Sequence, residues 1–424
     1  LPTGKTGHVM AEEQGLAARR TAAVSPDPTI GLGEAGAPSR SAAAAQAAGT
    51  WRSDIDGLRA MAVLPVVVFH VAQSFLRGGY VGVDIFFVIS GYLISRNIFR
   101  GLDRGQFSIA TFYEHRLRRI FPAYAAMLLA VLAVVVWKEV PPDAAAFGRS
   151  LLAAIASVTN VFFWATANYF GQPAEELPLL HTWSLSVEEQ FYLVFPIVAM
   201  LAYRHARRAL PALLWVTLLG SLAVSAWGVY AAPTGTFYLL PTRAWELLLG
   251  SVLALGLVPP IRTGLGRNAT AAIGFVLICA SMVVLTPSTP FPGLAALPAC
   301  LGAAFIIHAG ETGGSLVGRM LSWRPVVFVG LISYSLYLWH WPVLALQRSG
   351  MIFIATDSKL LERSLVLALS FVLGTLSWWI VERLTRDRSR VPTRVLVPAS
   401  AIVAGGLAVA GVTLIATGGL PGRF

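Results

Sequence analysis

Residues 54–91 read DIDGLRAMAVLPVVVFHVAQSFLRGGYVGVDIFFVISG, two apolar runs joined by a short turn that contains paired glycines. The first run carries Arg59 and, eleven positions on, His70. On a helix that spacing is about three turns, so both side chains share a face and lie roughly 16 Å apart along the axis. If the run crosses a membrane, one group sits near its surface and the other deep inside. An ionisable residue within a span costs roughly 2.5–3.5 kcal/mol, so its presence points to function. The chemistry is therefore placed on this pair.

The rest of the chain supports a membrane setting. Of 424 residues, 56% are hydrophobic and only 12% charged, with a mean hydropathy of +0.68. That is too little charge to cover a soluble surface. Apolar runs of about 18 to 22 residues recur, the length that crosses a hydrocarbon core of about 30 Å. The fold expected is all-α, a polytopic transmembrane helical bundle; the short alternating segments of a membrane β-barrel are absent from the sequence. The net charge of +11 comes from Lys and Arg clustered between apolar runs, as membrane topology requires, which argues against a nucleic-acid partner. Cys279 and Cys300 both fall in apolar runs and match no metal spacing, so they read as packing residues and no metal site is expected.

Residues 1–53 are rich in Ala, Gly, Ser and Pro and are expected to form a disordered cytoplasmic tail. Candidate spans follow at 58–75, 80–99, 120–137, 148–166, 183–203, 211–230, 241–258, 270–285, 294–309, 326–347, 364–381 and 395–417, with a separate basic amphipathic stretch at 107–119. The arginines at 96–119, 204–208, 262–267, 319–324 and 383–394 fall on one side only if one candidate fails to cross. Residues 148–166 carry Ser150, Ser157, Thr159 and Asn160, so this one is read as re-entrant or interfacial. About eleven spans remain, with the N-terminus cytoplasmic and the C-terminus extracytoplasmic. Arg348, Lys359 and Arg363 are the exception, basic residues on the outer face. The expected domains are the tail, a core at 54–387, and an added last span in 388–424.

Several other groups stand out by spacing. His181 and Glu188, in HTWSLSVEEQ, are seven apart and share a helix face, with Trp183 beside them as a surface for a sugar ring. Ser333, Tyr337 and His340 follow at i, i+4 and i+7, which suggests a lined cavity or interhelical hydrogen bonds. Asp84, at the start of its helix, is a cap or a substrate-lining group. Gly91 suits tight helix packing, and Arg243 with Glu246 at i and i+3 reads as an ion pair.

Five blocks occur in one order: DGLRAMAVLPVVVFH, GGYVGVDIFFVISGYLIS, FYEHRLRRIFPAY, LLHTWSLSVEEQFYLVFP and ISYSLYLWHWPVL. Together, over about residues 54–379, they resemble the acyltransferase-3 family of membrane O-acyltransferases. The resemblance implies transfer of an acyl group, expected to be acetyl, from cytoplasmic acyl-CoA to a hydroxyl of a cell-surface or exported glycan such as lipopolysaccharide or peptidoglycan. The setting implied is a bacterial cytoplasmic membrane. Acetyl-CoA would be a co-substrate, with no tightly bound cofactor. Arg59 and His70 match the family's Arg-x10-His element, and Arg116 and Arg119 its cytoplasmic Arg-x-x-Arg. A buried neutral imidazole can serve as base or nucleophile toward a thioester, so His70 is the expected catalytic group. His181, Glu188 and His340 are expected beside it, near the outer end. Guanidinium forks suit phosphate oxygens, so Arg59, Arg116 and Arg119 are expected to bind the donor. Asp84, Trp183, Ser333 and Tyr337 are expected to line the substrate. The chain also resembles the subgroup fused to an SGNH-type extracytoplasmic domain, which implies such a domain as a separate or missing partner. The competing reading is a membrane transporter without covalent chemistry, for which inverted repeats would be the sign, and none is evident.

Overall fold

The computed structural model describes residues 51–166, 174–352 and 356–423, and the body from Arg52 onward is one unit. The expected N-terminal tail lies almost wholly outside the described residues. Among the described residues all regular structure is helical. In chain order, the longer helices are α1 (Ser53–Val71), α2 (Gly82–Asp103), α3 (Ile109–Lys138), α4 (Pro141–Ile155), α5 (Thr159–Thr166), α6 (Thr182–His205) and α7 (Leu210–Ala231). They continue with α8 (Pro233–Tyr238), α9 (Leu240–Ala254), α10 (Gly264–Val284), α11 (Leu297–Ala309), α12 (Leu316–Leu321), α13 (Arg324–Arg348), α14 (Lys359–Leu376), α15 (Arg383–Arg386) and α16 (Thr393–Ala416). A π-helical turn, Ser377–Glu382, joins α14 to α15.

Among the described residues, eight helices are long and apolar enough to cross a membrane. The expected eleven also counted α1, which carries Asp54, Asp56 and Arg59, and the short α9 and α11. Outward-facing Val216, Trp227, Ile402 and Val409 are all more than 60% exposed, an apolar exterior suited to lipid rather than water. A polytopic helical membrane bundle is what the chain forms.

Two expectations change. The stretch 107–119 is not separate from the span at 120–137; both belong to the single 30-residue α3, capped where Ser108 Oγ accepts from Thr111 N at 3.4 Å. Nothing between them breaks a helix until Pro122, and α3 passes through that proline. The candidate at 148–166 is two helices, α4 and α5, broken at Ser157 with φ of 55°. At ~1.5 Å per residue neither spans a hydrocarbon core. Ser150 Oγ donates within its own helix to the Phe147 carbonyl at 2.8 Å, and α6 meets the polar groups around the break. Thr159 Oγ1 lies 2.7 Å from Ser186 Oγ, and Gln190 Nε2 donates to Asn160 Oδ1 at 2.8 Å and to the Ser157 carbonyl at 3.1 Å.

The innermost layer is α1, α2, α9 and α13. Helices α1 and α13 run parallel, because Ser53 bonds Ser322 at one end (2.9 Å) and Arg348 donates to the His70 carbonyl at the other (3.0 Å). Helices α2 and α9 approach through Gly91 and Gly250, where an added Cβ would strike the Leu247 carbonyl and the Val88 carbonyl respectively. Beside them Ser95 Oγ donates to Ser251 Oγ at 2.7 Å. The packing expectation for Gly91 holds.

Gly91→Val is expected to lower the thermal midpoint strongly, since overpacking against fixed backbone costs at least ~1–3 kcal/mol. Gly220→Ala, with nothing within 4 Å of the new methyl, is expected to leave it unchanged or slightly raised. Thermal unfolding in detergent measures both.

Candidate active site

His70 lies one residue before the end of α1, and His340 lies on the parallel α13. Their rings meet with His70 Nδ1 3.1 Å from His340 Nε2. His340 Nδ1 is 2.6 Å from the Tyr337 carbonyl, which can only accept, so Nδ1 carries the proton. With both imidazoles neutral, His340 Nε2 then accepts from His70 Nδ1–H. The lone pair of His70 is thereby left on Nε2. Trp341 packs edge-on to the His70 ring at 4.7 Å. His340 was expected to share catalysis; it is fully buried behind His70, while His70 itself lines the large cavity beside it.

That cavity, about 710 Å³, is walled by His70, His181, Trp183, Tyr337 and Trp341 together with Tyr80, Phe237 and Phe291. His181 is only 3% exposed, yet neither ring nitrogen has a hydrogen-bond partner among the described residues. A buried polar group left unpaired costs ~1–3 kcal/mol, which a ligand's polar atom in this cavity would relieve. Tyr337 Oη lies 2.7 Å from Ser184 Oγ and donates to the His181 carbonyl at 2.9 Å.

Asp84 is not a helix cap. Its Oδ1 accepts from Arg243 Nη1 at 2.6 Å, and the same nitrogen donates to Glu246 Oε1 at 3.0 Å. The pair expected within α9 is therefore a triad that ties α9 to α2. Arg243 also donates to the Phe237 carbonyl at 3.0 Å and sits over Phe237, Phe291 and Trp183 at 5.1, 5.3 and 5.4 Å. Trp183 thus stacks on a guanidinium as well as facing the cavity. Asp84 Oδ2 has no partner among the described residues.

A second, smaller cavity of about 70 Å³ lies toward the arginine-rich end of the bundle. Arg59, Arg116, Arg119, Glu188, Glu189 and Ser333 line it, with Tyr192 and Tyr334. Glu188 is therefore set among the arginines and not beside His181, because seven helical residues separate the two by about 10 Å. Ser333 and Tyr337 face this cavity together, as their spacing predicts, and the neighbouring Tyr334 reaches it too. Val83 and Tyr337 belong to both cavities and form the wall between them. Arg118 turns away from it. Its guanidinium is held by Glu114 at 2.7 and 2.8 Å and by the Thr385 and Val391 carbonyls at 2.8 and 2.6 Å. Arg116 makes no ion pair among the described residues; it lies 5.8 Å from the ring centres of Phe112 and Tyr192.

Residues 52–383 match the acyltransferase domain family model. The chain belongs to this acyltransferase family. It is a membrane-bound O-acyltransferase by that membership. The putative membrane-bound transacylase BcsY of Komagataeibacter xylinus is 33% identical over 344 residues, covering 80% of this chain and 85% of that protein. The O-acetyltransferase OatA of Staphylococcus aureus (strain NCTC 8325 / PS 47) is 33% identical over 313 residues, covering 70% of this chain and 51% of that one. The peptidoglycan O-acetyltransferase OatA of Listeria monocytogenes is 30% identical over 345 residues, covering 77% and 54%. The chain thus spans about half the length of the OatA proteins. No solved structure matches.

In this acyltransferase the residues that sequence reasoning missed are Glu189, Tyr192 and Tyr334 at the arginine cavity, and Tyr80, Phe237, Phe291 and Trp341 around His70. Only Glu189 carried a signal, as a second carboxylate within a predicted span.

The two arginines are expected to separate cleanly. Arg118→Ala removes the buried donor of the Thr385 and Val391 carbonyls, while Glu114 keeps Arg388 and Thr393; it should cost ~1–3 kcal/mol, read as a drop in thermal midpoint. Arg116→Ala should leave the midpoint near wild type and reduce acyl transfer.

Proposed function

We propose that this protein moves an acyl group, acetyl being the simplest, from acyl-CoA at the arginine-rich end of the bundle to a hydroxyl of an exported glycan at the histidine end. The single observation that carries the proposal is the stacking of two cavities along one bundle with a shared wall of Val83 and Tyr337. One presents three guanidiniums, the other the free nitrogen of His70. The OatA relatives, named as O-acetyltransferases and in one case for peptidoglycan, support a glycan acceptor.

Arg59, Arg116 and Arg119 are the groups suited to the donor's phosphate oxygens. The thioester end then points along the axis toward Tyr337 and His70. A glycan hydroxyl in the larger cavity gives its proton to His70 Nε2 as its oxygen attacks the thioester carbonyl. The tetrahedral intermediate collapses, the carbon–sulfur bond breaks, and the departing thiolate takes the proton from Nε2. The net products are the acyl ester and free coenzyme A thiol. His340, fixed by the Tyr337 carbonyl, holds His70 in the tautomer this requires and stabilises the imidazolium that forms. The arginine-rich end is assigned to the cytoplasm by the positive-inside rule, in a bacterial cytoplasmic membrane.

Release of free thiol from acetyl-CoA by the full chain in nanodiscs, with glycan acceptor supplied, tests the proposal. His70→Ala is expected to lower the rate ~10²–10⁴-fold, with the thermal midpoint retained. Arg116→Ala is expected to raise KM for acetyl-CoA more than it lowers kcat. Normal transfer by His70→Ala would remove His70 from the chemistry and overturn the mechanism.

A further inference from the structure

The basic residues that break the charge pattern, Arg348, Lys359 and Arg363, converge. The end of α13, the start of α14 and Val71 of α1 enclose a cavity of about 470 Å³, at the end of the bundle opposite the main arginine clusters. Its lining is Val71, Leu344, Gln347, Arg348, Lys359, Glu362, Arg363 and Val366. Three cations face one carboxylate, and that carboxylate is already engaged, since Glu362 Oε1 accepts from Gln347 Nε2. Lys359 and Arg363, one helical turn apart, make no ion pair among the described residues. A cavity with two unpaired cations invites an anion.

The surroundings define what kind. Val71, Leu344 and Val366 give the cavity an apolar floor, and on the same turn and the next of α14, Leu360, Leu361 and Leu365 are 76, 49 and 43% exposed. Exposed leucines beside exposed Lys and Arg place this stretch of α14 where acyl chains meet headgroups. A free metabolite would leave the apolar side unfilled. We infer that this cavity binds the phosphate of an anionic membrane amphiphile, with Lys359 and Arg363 on the phosphate oxygens and the hydrocarbon tail along Leu361 and Leu365. The inference stands apart from the acyl-transfer reading, since neither Lys359 nor Arg363 takes part in that mechanism.

The site adjoins the catalytic histidine through one side chain. Arg348 donates to the His70 carbonyl at 3.0 Å and pairs with Glu175 at 3.2 Å, two residues before Leu177 in the wall of the large cavity. An anion on Lys359 and Arg363 therefore sits one guanidinium away from the end of α1.

The test is titration of a short-chain fluorescent phosphatidylglycerol into the full chain in neutral detergent, with the matching phosphatidylcholine as control. Phosphatidylglycerol is expected to bind more tightly than phosphatidylcholine. The double variant Lys359→Ala/Arg363→Ala is expected to weaken phosphatidylglycerol roughly thirtyfold, about fivefold for each near-surface cation. The charge-retaining Lys359→Arg/Arg363→Lys should bind as wild type does. Equal binding of the two lipids, or a double variant that binds phosphatidylglycerol unchanged, overturns the site. Inorganic phosphate at matched concentration should fail to displace the lipid; full displacement would overturn the amphiphile and leave a simple phosphate site.

Discussion

The arrangement depends on the parallel packing of α1 against α13. Gly330 lets α13 close on the Asp56 carbonyl near one end, and Arg348 holds the His70 carbonyl at the other. Between those two fixed points the register of the helices is set, and it brings His70 Nδ1 to 3.1 Å from His340 Nε2. A shift by one residue would rotate either ring by about 100° around its helix and end the contact. The direction of that hydrogen bond is dictated from behind, by a carbonyl that can only accept. Backbone geometry three residues before His340 thus decides which nitrogen of His70 faces the cavity.

The charges within the bundle fall into two kinds. Arg243 and Arg118 are almost wholly buried, and each donates to several close acceptors. Burying a charge costs several kcal/mol unless it is paired and hydrogen-bonded, and these two are held as structural pins, one between α2 and α9, the other between α3 and the α15–α16 turn. Arg59, Arg116 and Arg119 border empty space instead, and among the described residues the ion pair of Arg59 is with Asp56 at 3.8 Å. Cations kept near a cavity without close partners are the ones available to a ligand. The distinction is invisible in the string Arg116-Leu117-Arg118-Arg119, where three arginines look alike.

The sequence revealed the architecture class and brought forward residues that line the two cavities, for physical reasons. Span length and charge segregation are properties of single segments, and the i, i+4, i+7 pattern of Ser333, Tyr337 and His340 is local helix geometry. What it concealed depends on contacts between segments distant in the chain. Asp84 meets Arg243 across 159 positions, so the sequence offered a cap or a substrate-lining group there and not an ion pair. Glu188 and His181 share a face, but which of the two cavities each enters depends on how far α6 slides along α2. Residues 148–166 showed polarity in a span; the approach of Gln190 and Ser186 from α6 explains why Thr159 and Asn160 are tolerated there.

The central claim is that one bundle carries an acyl group from the arginine cavity to the histidine cavity. Sealed vesicles oriented with the arginine-rich end outward, given acetyl-CoA labelled in the acetyl group outside and glycan acceptor inside, test it most directly. The account predicts labelled ester on the enclosed glycan, thiol released only outside, and neither product with His70→Ala. Labelled ester formed solely on glycan added outside, with none inside, would contradict it.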